Sequence, residues 1–185
     1  MSLIKSLILE FKAISRWHEL LWQMVGREVK ARYKQSVLGY FWIILNPFAQ
    51  MLVMSFAFSV IMRIPTYTAS SIPYSVFLFT ALLPWTLFSN SLVSASGSLV
   101  ASSSLITKIY FPRSILVIST IIAKIIDFFL ASSILILYLI FYHIPVGINV
   151  LWIIPLFFIQ QLFTLGISLF LAAANLLYRD IQYLL

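Results

Sequence analysis

Four basic residues lie close together near the start of the chain, in a segment that runs directly into an uncharged apolar stretch. The junction reads REVKARYKQSVLGYFWIILNP over residues 27–47. Arginine and lysine attract phosphate groups, and arginine can bind them through two parallel hydrogen bonds. A basic amphipathic helix can also simply anchor a protein to a membrane surface, so both interpretations stay open. The four residues are Arg27, Lys30, Arg32 and Lys34.

A second group of polar residues lies inside long apolar stretches. Lys124 and Asp127 are three positions apart and therefore share one face of a helix. Charged residues within a membrane face the interior of a helix bundle or water. The pair indicates either a polar contact along a transport path or, as we favour, an ion pair that neutralises itself within the bundle. An earlier apolar stretch contains Asn46, Pro47 and Gln50, and Pro47 removes a backbone donor from its helix.

Several kinds of chemistry lack their usual residues in this sequence. There is no cysteine, which excludes a disulfide, a thiolate nucleophile and a cysteine-based metal site. The two histidines, His18 and His143, lie in different segments, so a histidine cluster is not expected. No GxxxxGK[ST] run occurs, so the chain should not bind ATP. We therefore expect no enzyme active site and no cofactor bound by this chain.

The composition predicts an integral membrane protein. Hydrophobic residues make up 62% of the 185 residues and charged residues only 9%, whereas soluble domains have about 45–50% and about 25%. The net charge of +7 could suggest a nucleic-acid partner. Most basic residues lie beside apolar spans, however, and that placement favours membrane topology over nucleic-acid binding.

The hydropathy pattern predicts an all-α polytopic bundle with four spans after an N-terminal amphipathic helix in residues 1–36. With the N-terminus in the cytoplasm, ten of the twelve Lys and Arg residues lie inside: seven in 1–36, two in 94–113 and one in 178–185. One, Arg63, lies outside, which is a positive-inside bias. The predicted spans are residues 37–62, 74–93, 114–142 and 150–177, with outer loops 63–73 and 143–149 and cytoplasmic segments 94–113 and 178–185.

Three segments together resemble the permease subunits of bacterial ABC-2 exporters of polysaccharides such as O-antigen, teichoic acid or capsule. They are REVKARYKQSVLGYFWIILNP at 27–47, KIYFPRSILVIS at 108–119 and NLLYRDIQYLL at 175–185. The resemblance covers essentially the whole chain. It implies a bundle of six transmembrane helices, of which the fifth and sixth are not found here. Because the chain ends at what looks like the approach to a fifth span, we expect a C-terminally truncated form of a larger protein.

The resemblance also implies roles for particular residues. A cytoplasmic gate helix would cover about residues 16–33, and a coupling helix would cover about residues 98–108. Taken alone, the Ser, Ala and Gly run 94–104 predicts a flexible loop, and only the order of elements implied by the resemblance makes it the coupling element. The gate-helix candidates for contact with a lipid-linked pyrophosphate are Arg27, Lys30, Arg32, Tyr33 and Lys34. The candidates for coupling to an ATPase are Ser98, Leu99, Ser102, Leu105, Ile106 and Lys108.

The expected partners follow from the same resemblance. Two permease copies would pair with two ABC ATPase subunits, which bind ATP-Mg, and export a lipid-linked polysaccharide across the bacterial cytoplasmic membrane. Aromatic residues, 16% of the chain, could stack on sugars, although most are expected to face lipid or pack. Two alternatives stay open: a permease for a small amphiphile or drug, and a truncated remnant or membrane scaffold that does not transport.

Overall fold

We describe the fold from a computed structural model, which describes residues 17–33, 39, 41–58, 74–144 and 147–185. All regular structure within these ranges is helical, which confirms the all-α prediction. The helices are α1 (His18–Tyr33), α2 (Phe41–Phe56), α3 (Tyr74–Ala101), α4 (Ser103–Ile106), α5 (Ser114–Phe141), α6 (Ile153–Leu177) and α7 (Ile181–Leu184), with a 3-10 turn at Ile148–Trp152.

Three of the described helices are long and apolar enough to cross a membrane. The helices α3 and α5 have 28 residues each, and α6 with its preceding 3-10 turn has 30. At about 1.5 Å per residue, 28 residues extend about 42 Å, which exceeds the ~30 Å hydrocarbon core. The first predicted span is described only in part, as residue 39, the 16 residues of α2 and the two that follow. Four spans therefore remain a prediction, whereas a polytopic helical bundle is confirmed.

Helix α3 is central and packs against α2, α5 and α6. It runs antiparallel to α5, because Ser75 near its start lies 3.0 Å from the Tyr138 hydroxyl near the end of α5. Helix α1 packs on α5 at the other end of this pair. Two buried clusters hold the bundle together: one contains Met24, Ala95, Leu99, Phe111 and Ile115, and the other contains Met51, Phe79, Leu83 and Ala131.

Small and polar residues form the contact between α3 and α6. The buried positions of α6 recur every three or four residues and so define one helix face. Small side chains let two helices approach closely in a membrane. At the end of this contact between α3 and α6, Asn175 Nδ2 donates to the Ser96 carbonyl at 3.0 Å. The buried residues of this face are Thr164, Ser168, Ala172 and Asn175.

The end of α3 differs from the sequence prediction. The second span was expected to end at residue 93, with a separate coupling helix later, but α3 continues without a break to Ala101. Two serines in this stretch donate back to their own helix, Ser96 to the Val93 carbonyl at 2.8 Å and Ser98 to the Ala95 carbonyl at 2.7 Å. Their hydroxyls are thus satisfied locally, and packing against neighbouring helices stabilises a segment of modest helix propensity.

Candidate functional site

Helix α1 corresponds to the described part of the predicted gate helix, and its apolar face packs on the bundle. Met24 and Val25 are buried, and Met24 belongs to the cluster with Ala95 and Leu99 of α3. Trp17, Leu20 and Leu21 pack against the same cluster. The apolar face of α1 therefore lies largely against protein. The position of α1 is therefore tied to the end of α3 and the start of α5.

Among the basic candidates of α1, Arg27 makes the most informative contact. Its Nη2 donates to the Ser102 hydroxyl at 3.1 Å and lies 3.5 Å from Glu28 Oε1. Ser102 is only 6% exposed and lies at the bend between α3 and α4. This hydrogen bond joins the predicted gate helix to the predicted coupling segment.

The remaining basic candidates contribute less to a defined site. Lys30 is exposed on α1. Arg32 and Tyr33 belong to the last turn of α1 and are described only by their backbone, while Lys34 lies outside the described residues. The described part of the helix thus presents two basic side chains, Arg27 and Lys30, of the four that the sequence suggested.

The predicted coupling segment is divided between buried and exposed residues. It is the last turn of α3, a bend and the single turn α4, rather than one helix over 98–108. Leu105 and Ile106 are half-buried against the core, whereas Lys108 is exposed. Buried side chains cannot contact a partner directly, so their role would be to hold the segment in place. The buried candidates are Ser98, Leu99 and Ser102.

The turn after α4 carries an exposed residue that the sequence reasoning did not select. Tyr110 is 96% exposed, and the neighbouring Ile109 is 52% exposed. The next residue, Phe111, is buried in the core and fixes the turn to the bundle. The motif KIYFPR was noted only as part of the resemblance, and neither aromatic residue was selected. Sequence alone does not distinguish two adjacent aromatic residues that point in opposite directions.

The intramembrane polar candidates come together around one cleft between α2, α3 and α5, with a volume of about 170 Å³. Lys124 and Asp127 are half-buried and both line it. Trp42, Pro47 and Phe128 contribute apolar surface to the same cleft. Sequence reasoning did not select Thr86 and Asn90, which have no charge or motif to distinguish them within an apolar helix. The polar lining residues are Asn46, Gln50, Thr86, Asn90, Lys124 and Asp127.

Sequence comparisons give relatives for most of the chain, although no family model matches it. It is 34% identical over 167 residues to the O-antigen export system permease protein RfbA of Klebsiella pneumoniae, covering 89% of this chain and 62% of the relative. The Myxococcus xanthus protein of the same name is 34% identical over 178 residues, or 94% and 65% of the two chains.

A shorter match connects the chain to a second kind of transport protein. The polysialic acid transport protein KpsM of Escherichia coli is 34% identical over 98 residues, which is 53% of this chain and 35% of the relative. The chain thus spans less than two thirds of the length of the curated relatives it matches. These similarities confirm the resemblance noted in the sequence.

Proposed function

We propose that the chain, which belongs to the family of ABC-2 polysaccharide export permeases, forms the membrane-spanning part of an ATP-driven exporter. The exported substrate is a lipid-linked polysaccharide. The observation that carries this proposal is the similarity to O-antigen export permeases over 89% to 94% of the chain. The confirmed helical bundle, with three apolar helices among the described residues, fits such a role.

The proposed exporter contains a second permease copy and two ATPase subunits, which bind ATP-Mg. It lies in the bacterial inner membrane with the N-terminus of the permease in the cytoplasm. The excess of basic residues on that side of the predicted topology supports this orientation. No catalytic residue is needed in the permease, because the ATPase subunits supply the chemical step.

The ATPase is proposed to dock on the turn after α4. Exposed aromatic residues are common anchors of protein interfaces, and Tyr110 is the most exposed large hydrophobic residue among those described. Lys108 and Arg113 give this turn a positive charge, which would suit an acidic partner surface. Movement of the docked subunit would reach α1 through α4 and the Arg27–Ser102 hydrogen bond.

A variant of Tyr110 tests the docking proposal. In the full-length permease, Tyr110→Ala is expected to weaken co-purification with the ATPase about tenfold or more, because a buried interface tyrosine contributes about 2 kcal/mol when truncated. Tyr178→Ala is the matched control, since Tyr178 is also a well-exposed tyrosine, at the end of α6. If Tyr110→Ala and Tyr178→Ala co-purify with equal amounts of the ATPase, docking through Tyr110 is contradicted.

Deletion of the permease gene tests the proposed substrate class. We expect the surface polysaccharide to disappear and undelivered glycan to accumulate in the cytoplasm, with both effects reversed by the full-length gene. Loss of drug resistance with an unchanged surface glycan would instead support export of a small amphiphile. The readouts are glycan staining of whole-cell lysates and protease-free fractionation of cytoplasm and envelope.

A further inference from the structure

Three polar side chains of the cleft between α2, α3 and α5 lie at a similar distance from the ends of their helices. Gln50 is nine residues from the start of α2, Lys124 is ten from the start of α5, and Asn90 is eleven before the end of α3. At about 1.5 Å per residue, each lies about 14 to 17 Å from the end of its helix on the predicted cytoplasmic side. The three side chains therefore lie at a similar distance from the predicted cytoplasmic ends of their helices.

The chemistry of the lining matches the hydroxyl groups of a sugar. The side-chain amides of Asn46, Gln50 and Asn90 each offer two donors and an acceptor. A sugar hydroxyl also donates and accepts, so one ring can satisfy several amides at once. Lys124 and Asp127 carry opposite charges, which leaves the cleft with no formal charge to attract a simple ion.

An aromatic surface and the size of the cleft point to the same ligand. Trp42 is 40% exposed and lines the cleft, and an accessible indole can stack on the apolar face of a sugar ring. A volume of about 170 Å³ corresponds to roughly six water molecules at about 30 Å³ each, which is near the size of one pyranose ring. A cleft of this size accommodates one sugar ring.

We propose that this cleft is a subsite that binds a single sugar residue of the exported chain while the chain crosses the membrane. The inference rests on the proposed export function and adds to it the recognition of neutral, hydroxyl-rich sugars within one permease copy. Binding at such a site is weak and reversible, because a transported chain must leave each contact after it forms.

These 185 residues contain no cysteine, and any cysteine in the rest of the full-length permease or in its ATPase is replaced by serine before the test. A single Asn90→Cys substitution places a thiol in the cleft of the full-length permease, assembled with its ATPase in nanodiscs. The probe is the hydrophilic reagent methanethiosulfonate ethyltrimethylammonium, which labels thiols in contact with water. Trp85→Cys is the control: Trp85 is 62% exposed, belongs to the same helix and is not part of the cleft.

We expect rapid labelling of the thiol at position 90 and slow labelling at position 85. A short oligosaccharide prepared from the strain's own surface glycan should slow labelling at position 90 at least threefold, whereas an equal concentration of polyethylene glycol should not. Asn46→Cys, from α2, should behave like Asn90→Cys and serves as a second reporter if Asn90→Cys does not assemble.

Two results would overturn the inference. Labelling at positions 46 and 90 that the oligosaccharide leaves unchanged would show a wet cleft that does not bind sugar. No labelling at either position would show that protein or lipid fills the cleft in the assembled transporter. Glycan export is measured on the same preparations. If the assembly exports glycan but the oligosaccharide does not slow labelling, only the sugar subsite is refuted. If the wild-type assembly exports no glycan, the proposed function itself is refuted.

Discussion

The hydrogen bond between Arg27 and Ser102 connects the two elements that the proposed mechanism must move together. It joins α1 to the bend between α3 and α4, two elements that are 75 residues apart in sequence. If the contact transmits force, Arg27→Ala should reduce the amount of glycan exported for each ATP hydrolysed. The change should also weaken the packing of α1 on the bundle, because Arg27 lies on the same helix as the buried Met24.

The size of the effect follows from the burial of the two partners. A net hydrogen bond contributes about 0.5–1.5 kcal/mol, and a bond to a charged group up to about 3 kcal/mol. The Arg27 side chain is 45% exposed, so water solvates much of its charge in either state and the higher value is excluded. Glu28, at 3.5 Å, partly competes for the same nitrogen. We therefore expect a coupling free energy of about 1 kcal/mol between Arg27 and Ser102.

A double-mutant cycle measures this coupling. The full-length permease and its Arg27→Ala, Ser102→Ala and double variants would be unfolded by sodium dodecyl sulfate in mixed micelles. Lys30→Ala, an exposed basic position on the same helix, is the control for loss of charge alone and should change stability by less than about 0.5 kcal/mol. The coupling is refuted if the two single variants change the free energy of unfolding by amounts whose sum equals the change in the double variant within about 0.3 kcal/mol.

Two further substitutions test the packing that positions these elements. Ala172→Leu should lower the free energy of unfolding by about 1–3 kcal/mol through overpacking, because Ala172 of α6 is fully buried. Ala173→Leu is the control and should be nearly neutral, because Ala173 is exposed. Both variants are measured in the same detergent titration. Met24→Ala should cost about 2 kcal/mol and increase protease cleavage near α1, whereas Gln23→Ala, at an exposed position, should leave both unchanged.

Much of the fold was predictable because its physical cause is local. A long uncharged apolar stretch must form a helix in a membrane, where each backbone polar group needs a partner within the chain. This constraint identifies α3, α5 and α6 without knowledge of their neighbours. The continuation of α3 to Ala101 was not predicted, because propensity alone treats the Ser, Ala and Gly run as weakly helical. Its stability comes from the buried positions Ala95 and Leu99, which pack against other helices.

The candidate site was only partly predictable for a related reason. Spacing within one helix places Lys124 and Asp127 on a common face, and both do line the cleft. The contributions of Asn46 and Asn90 depend on how α2 and α3 cross α5, which is a long-range property that no local pattern encodes. Tyr110 was missed for the same reason, since its exposure depends on the neighbouring Phe111 being anchored in the core.

One helix connects the candidate docking surface with the cleft. Asn90 and Ala101 both lie on α3, eleven residues and about 17 Å apart. No proline interrupts the helix between them, since its only proline, Pro84, precedes Asn90. A helix segment packed along its length moves as a rigid body rather than bending locally. A displacement of the α3–α4 bend by a docked ATPase should therefore shift Asn90 as well as Arg27, so that the shape of the cleft and the position of α1 change in the same step of the cycle.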